Sequence, residues 1–492
     1  MRQLLLFLFS CGLYAQDLQS DLQQVFTNNP MMGMSVYAFS GDEEAVYNFG
    51  LRNLSQNLAV TNDTKYRIAS ISKSFTALGL MKLYDQDLFG LDDDISTYLG
   101  YTVRNPNFPN QPITFRMVLS HTSSLQDGTG YGNFLNATYS QNPIPNISSV
   151  LVPGGSYFTA NMWRTETPGT FFAYSNLNFG LIGTLIEKIS NQRFDIFMKN
   201  EILIPLGIAG SFNIQDLTDI GNVAVIYRNI SGWSPQADNF NGVMPPAPNL
   251  AAYVIGSNGV YFGPQGGFRT SVSDIGKFLK YTKSNGLSVP GFMLESTLAE
   301  MKNIQWNFNG NNGDNYYGLF NKWGLGLHYA NTNSNDFICE QNTFGNFIGH
   351  TGEAYGLVSD AFYSEFGDKG FVFVTNGSWN GYQTGPTSFY TIEDAVFSAL
   401  CNYFTQPLSV SELTQSKVTI SPNPSGNFIS VQSGIAHPVA YEMYDLLGRK
   451  VIEKSASQTG DFLVDLTQFN SGTYFLQIHS DGSSVTKKII KK

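Results

Sequence analysis

The chain of 492 residues is 42% hydrophobic, 14% aromatic and only 13% charged, a length that allows about three folding units and a composition that excludes a disordered chain or a bundle of membrane spans. Twenty-eight Lys and Arg against 38 Asp and Glu leave a net charge of -10, which argues against nucleic acid and anionic lipid as partners. Three cysteines cannot build a disulfide framework, and no CxxC or HExxH spacing points to a metal.

The first residues are MRQLLLFLFSCGLYAQ. Arg2 precedes an apolar stretch from Leu4 to Leu13, and Ala15 stands at a plausible cleavage position, so residues 1–15 read as a secretory signal. A bilayer takes about 20 apolar residues; neither this stretch nor any later one reaches that length, and no membrane span is expected. LFSC, ending at Cys11, offers lipidation as an alternative fate. With the signal removed, Cys339 and Cys401 remain, expected as two buried thiols, with a single disulfide as the alternative in an oxidising compartment.

Farther along, Phe75, Leu78 and Met81 predict a helix over 75–84, and Leu181, Ile182, Leu185, Ile186 and Ile189 another over 179–189. IEDAVFSALCNYF, from Ile392, predicts a closing helix. Pro and Ser punctuate the stretch from Thr405 to Asn427, and beyond it GTYFLQIHS sets Tyr474, Leu476 and Ile478 against Phe475, Gln477 and His479, a strand pattern. The expected organisation is a large domain over 16–408 and a small all-β domain over 409–492. Charge divides the same way: from Glu412 onward eight basic residues face seven acidic ones, so the acidic balance belongs to the large domain.

Three strings in the large domain could carry chemistry. In YRIASISKSFTALGL, Ser70 and Lys73 stand at i and i+3 where a helix opens, so one turn brings them together. A serine needs a base to take its proton, and a desolvated lysine of lowered pKa supplies one. Ser484 and Lys487 share this spacing by accident, and a helix cap is the plain alternative for Ser70. In PGTFFAYSNLNFG, Tyr174 and Asn176 lie two apart just before a helix, placed to relay a proton and to hold a carbonyl. In FIGHTGEAYGL, a strand from Phe347 leads to His350, Thr351 and Gly352; the glycine admits a ligand to the backbone, and the Glu353 amide could join the Ser70 amide around an oxyanion.

In this order, at intervals of 104 and 176 residues, the three strings resemble the SxxK, YxN and KTG-type motifs of serine β-lactamases and penicillin-binding proteins. The nearest group is the class C β-lactamase-like one, with its D-aminopeptidases, carboxylesterases and penicillin-binding-protein-like hydrolases. ITFRMVLSHTSSL, NEILIPLGI, GGFRTSVSDIGKFL and WGLGLHY fit as supporting segments, and the resemblance spans about Leu18 to Phe404. It implies an α/β (α+β) fold, an antiparallel sheet flanked by helices with an all-helical region. It also implies Ser70 as nucleophile of an acyl-enzyme, with Lys73 and Tyr174 sharing proton transfer. Asn176, His350, Thr351, Gly352 and Glu353 would bind substrate, with no cofactor and no metal.

Two positions depart from the pattern. His350 replaces the usual lysine, which puts carboxylate binding in doubt, and Ser124 replaces the glycine of SHTSGL. His121 in that segment reads as a structural histidine bonded to backbone. The expected activity is cleavage of an amide or ester in a D-amino peptide, a peptidoglycan-like peptide or a small ester, with a silent peptide-binding module as the rival.

SPNPSGN, YEMYDLLGRKV and SGTYFLQI, with the basic end VTKKIIKK, resemble the C-terminal sorting domain of type IX secretion cargo. That resemblance implies a small β-sandwich, the type IX machinery as partner, and export to the exterior or cell surface of a Gram-negative bacterium.

Overall fold

The structure, a computed structural model, describes residues 18–379, 383, 385–405, 418–432, 439–458, 461–480 and 483–492. The expected signal at 1–15, Cys11 and the expected boundary near Ser409 lie outside those residues. No helix among the described residues is long and apolar enough to cross a membrane.

A nine-stranded sheet organises the large unit, all its neighbours antiparallel. Its order is Leu58–Ala59, Glu43–Asn53, Gly33–Ser40, Lys369–Thr375, Leu357–Ser364, Phe347–Ala354, His328–Ala330, Lys322–Trp323 and Trp306–Asn307. Gly33–Ser40 is buried along its whole length because both faces of the sheet are covered. Successive side chains point to opposite faces. Tyr37 and Phe39 share a core with the helices Ser72–Asp85, Asn176–Ser190 and Val272–Lys283. Met34, Val36 and Ala38 pack with Leu18–Asn28 and Thr391–Thr405 on the other side. Between Ile95 and Leu203 the regular elements are all helices, which form the predicted all-helical region.

The predicted helices are present and extend a few residues beyond their apolar patterns. Ser72–Asp85 differs in kind: residues 72–81 and Leu83 are all buried, so it is a central helix covered on every side, not an amphipathic one with a single apolar stripe.

The cysteines correct an expectation. Cys339 and Cys401, 62 residues apart, form a disulfide with a Cα–Cα distance of 5.5 Å. Cys339 is fully buried among the residues that pack against Thr391–Thr405, the helix that carries Cys401. The expected pair of thiols followed from counting alone, which is blind to this long-range packing.

The chain divides into two compact units after Phe404. In the second, one sheet runs Thr419–Ser421, Phe428–Gln432 and Phe462–Asp465, and another runs Lys450–Gln458, Val439–Asp445, Gly472–Ser480 and Ser483–Lys491. Ile429, Val431 and Val464 of the first share a core with Met443, Leu476, Ile478 and Ile489 of the second, which makes the unit an all-β sandwich.

Candidate active site

The site begins where the short strand Tyr66–Arg67 turns into the helix Ser72–Asp85. The turn is a single 3-10 element, Ala69–Ile71. Ala69 has φ of 46°, a left-handed conformation that costs a non-glycine residue energy and is retained where the surroundings enforce it. Ser70, next in the chain, is half-buried and lines a cleft of about 460 Å3.

One helical turn on, Lys73 is fully buried. Its Nζ lies 3.0 Å from Ser70 Oγ, 2.9 Å from Asn176 Oδ1 and 2.7 Å from the Gln265 carbonyl oxygen. Two of these partners can only accept, whereas the Ser70 hydroxyl can donate or accept. As an ammonium Lys73 donates to all three; as a neutral amine, with two N–H bonds and one lone pair, it donates to Asn176 and Gln265 and receives the Ser70 proton. Burial lowers the Lys73 pKa to about 7, against the opposing field of Asp127. The Ser70–Lys73 pair therefore has both the geometry and the basicity for general-base activation of a hydroxyl.

Asn176 is the first residue of Asn176–Ser190, and Ser175 before it is extended, with φ of -142° and ψ of 128°. The exposed helix start is satisfied by Asp127, which accepts from Ser175 Oγ, the Asn176 and Leu177 amides and Asn176 Nδ2, all between 2.8 and 3.0 Å. Because Asp127 takes the Nδ2 end of the amide, the Oδ1 end faces Lys73. Asp127 was not legible in the sequence, where Ser175 already offers a cap; in the structure the Ser175 hydroxyl makes no cap bond and donates to Asp127 instead.

The Tyr174 ring lies 4.9 Å from Lys73 Nζ and stacks on Phe320 at 5.3 Å. Burial raises its pKa, partly offset by a hydrogen bond with Ser70, so its phenol remains protonated and can pass a proton on. His121 packs against it at 4.5 Å and accepts the Ser175 amide at Nδ1, 3.1 Å away. It is the backbone-bonded structural histidine that the sequence suggests. Ser124 has φ of 63°, which explains why glycine suits that position; its Oγ accepts from Asn105 Nδ2 at 2.8 Å.

The strand Phe347–Ala354 brings the third string to Ser70. Gly352 makes the approach possible: a Cβ there would lie 2.9 Å from the Ile68 carbonyl oxygen and 3.1 Å from the Ser70 nitrogen. His350, Thr351, Gly352 and Glu353 all line the cleft. His350 is 1% exposed, and burial together with the nearby Lys73 pushes its pKa well below 6.5. Its Nδ1 donates to the Thr351 carbonyl oxygen at 2.5 Å, which leaves Nε2 as an acceptor. The position thus carries no positive charge. Also unforeseen is the buried pair Asp360 and Glu393: Asp360 stands opposite Thr351 in the sheet, and burial raises both carboxyl pKa values.

Residues 19–381 match the beta-lactamase family. The chain belongs to the beta-lactamase family. That family is one of serine hydrolases, and residues 419–492 add a secretion system C-terminal sorting domain. Among curated relatives, Penicillin-binding protein 4* of Bacillus subtilis (strain 168) is 28% identical over 195 residues, which are 39% of this chain and 40% of that protein. Protein flp of Staphylococcus aureus (strain MRSA252) is 28% identical over 159 residues, 32% of this chain and 30% of that one. The chain thus matches less than half the length of these relatives. Among solved structures, the octameric penicillin-binding protein homologue from Pyrococcus abyssi superposes with a TM-score of 0.57 at 18% identity, covering 96% of both chains. D-amino acid amidase from Ochrobactrum anthropi SV3, complexed with D-phenylalanine, gives 0.55 at 20% identity over 79% of this chain and all of that one. At these identities the structural likeness establishes the beta-lactamase fold.

Proposed function

We propose that the protein is an exported serine hydrolase that cleaves an amide or ester through an acyl-enzyme on Ser70. Ser70 Oγ attacks the substrate carbonyl while Lys73 Nζ takes its proton. Amides of Ser70 and Glu353 hold the oxyanion, Asn176 orients the substrate amide, and His350 and Thr351 line the cleft. Tyr174 passes a proton to the leaving group; water then enters, gives up a proton along the same route and releases the acid. The observation that carries this reading is the 3.0 Å approach of Lys73 Nζ to Ser70 Oγ, a geometry in which a neutral Lys73 can take the hydroxyl proton. A lowered pKa of about 7 supports it.

The substrate class is a D-amino peptide, a peptidoglycan-like peptide or a small ester. We further propose that residues 1–15 direct secretion and that the sorting domain, with a boundary near 408, hands the chain to the type IX machinery for release or surface attachment. The disulfide Cys339–Cys401 supports maturation in an oxidising compartment. A hydrolysis panel of nitrocefin, short p-nitrophenyl esters and D-aminoacyl anilides, with Ser70→Ala as blank, tests the catalytic reading. Turnover of at least one substrate that Ser70→Ala lacks is expected. Equal rates in the two proteins would overturn it.

A further inference from the structure

A second cavity, of about 410 Å3, shares no lining residue with the cleft at Ser70. Lys283 and Lys302, the last residues of the helices Val272–Lys283 and Glu295–Lys302, both line it. Burial lowers the pKa of each, and at Lys302 the charge of Lys283 adds to the effect. Asp368 and Glu295 oppose this through space, but among the described residues neither lysine forms an ion pair. Lys283 Nζ donates to the Ser364 carbonyl oxygen at 2.9 Å, and Lys302 Nζ to the Thr282 carbonyl oxygen at 3.2 Å and to Asn285 Oδ1. Each ammonium carries three N–H groups, so both retain a donor for a further partner. Their place at helix ends offsets the dipoles there, yet two neighbouring, half-buried cations still call for a counter-ion.

Two orphaned polar atoms belong to the same lining. Tyr363 is 2% exposed, and its hydroxyl, with Thr282 beside it, has no hydrogen bond of ordinary geometry among the described residues. Burial raises its pKa, so it keeps its proton and is an unused donor. Asn346 Nδ2 donates to Glu365 Oε2 at 2.7 Å, which leaves Asn346 Oδ1, buried and without a partner, as an unused acceptor. Glu365 is the one carboxylate in the lining; it is exposed, and its Oε2 is held by the amide and side chain of Asn346. Two ammonium groups, a phenol that donates and an amide oxygen that accepts complement an oxyanion that also carries an O–H group. Hydrogenphosphate has that set at neutral pH. Sulfate has the charge and the acceptor oxygens but no hydroxyl.

We propose that this cavity is a binding site for inorganic phosphate, in which Lys283 and Lys302 meet the charge, the Tyr363 hydroxyl donates to one oxygen and Asn346 Oδ1 accepts from the phosphate hydroxyl. The site is separate from the hydrolase reading, and its test needs no turnover. The full-length protein is titrated calorimetrically at neutral pH with sodium phosphate, and with sodium sulfate at matched ionic strength. Phosphate should bind with a Kd of about 1 mM or tighter, and sulfate at least about threefold more weakly. Lys283→Met and Lys302→Met should each weaken phosphate binding at least about tenfold, the size of one charge-assisted hydrogen bond. Lys280→Met, on the same helix as Lys283 but outside the lining, controls for the loss of charge and should change the affinity less than about twofold. Tyr363→Phe keeps the ring and should weaken binding at least about threefold, and Glu365→Gln, which removes the one carboxylate of the lining, should tighten it by a similar factor. These two variants keep the test decisive if a lysine variant fails to fold. No binding of phosphate at about 10 mM, equal affinity for sulfate, or an affinity that Tyr363→Phe and Glu365→Gln leave unchanged would each overturn the inference.

Discussion

Replacing Asp127 with Asn removes the carboxylate that opposes burial at Lys73. Burial takes the Lys73 pKa down to about 7, and the Asp127 charge resists that fall. The two groups are joined through the Asn176 amide, 2.8 Å from Asp127 and 2.9 Å from Lys73. An opposite charge at 4–6 Å moves a pKa by about one to three units. One amide farther away, about one unit is expected, or about 1.4 kcal/mol. The sign follows from the base working only when neutral. A lower pKa keeps Lys73 neutral to lower pH, so the acid limb of kcat/KM should move from about pH 7 to about pH 6. At pH 6 the neutral fraction would rise from about one tenth to about one half. The assay is kcat/KM on a neutral p-nitrophenyl ester between pH 5 and 9, each profile normalised to its own plateau. The plateau itself will fall, because Asp127 anchors the start of the Asn176–Ser190 helix through four hydrogen bonds. Loss of support alone changes the height of the profile and leaves its position. Burial pushes the pKa values of His121 and His350 well below 6.5, and these two histidines and the Asp360–Glu393 pair are common to both proteins. A limb that stays put or moves to higher pH would refute the assignment of Lys73 as base.

Three further outcomes are expected. His350→Lys should raise kcat/KM for carboxylated nitrocefin relative to a neutral ester by about tenfold to a hundredfold, the size of a charge-assisted hydrogen bond of about 1.5–3 kcal/mol; no relative gain would count against His350 as the cause of discrimination. Gly352→Ala places a carbon 2.9 Å from the Ile68 carbonyl oxygen and 3.1 Å from the Ser70 nitrogen, so kcat should fall about a hundredfold with the circular dichroism spectrum unchanged, whereas wild-type turnover would contradict the close approach. Replacing both Cys339 and Cys401 with Ser opens a link across 62 residues and should cost about 2–4 kcal/mol in reversible denaturant unfolding; equal stability of the variant and the oxidised protein would contradict the bridge.

Much of the site was legible because its chemistry is local. Ser70 and Lys73 meet within one helical turn, and Tyr174 and Asn176 flank a single extended residue, so spacing alone brings each pair together. The tail was legible for a similar reason, since the alternation around Leu476 and Ile478 is a property of one strand. What escaped depends on segments far apart in the chain. Asp127 serves a helix start 49 residues away. Asp360 meets Glu393 only after a strand and the closing helix have packed. Gln265 contributes a carbonyl oxygen, which every residue possesses and no motif can single out. The disulfide awaited the packing of Cys339 beneath the last helix of the large unit.

The central claim is that Ser70, activated by Lys73, is the nucleophile. It is tested most directly by intact-mass measurement after treatment with a fluorophosphonate, in wild type, Ser70→Ala and Lys73→Ala. A single adduct is expected on the wild type, mapped by peptide sequencing to Ser70, with none on Ser70→Ala and strongly slowed labelling of a folded Lys73→Ala. Equal labelling of Ser70→Ala, or no adduct on the wild type, would contradict it.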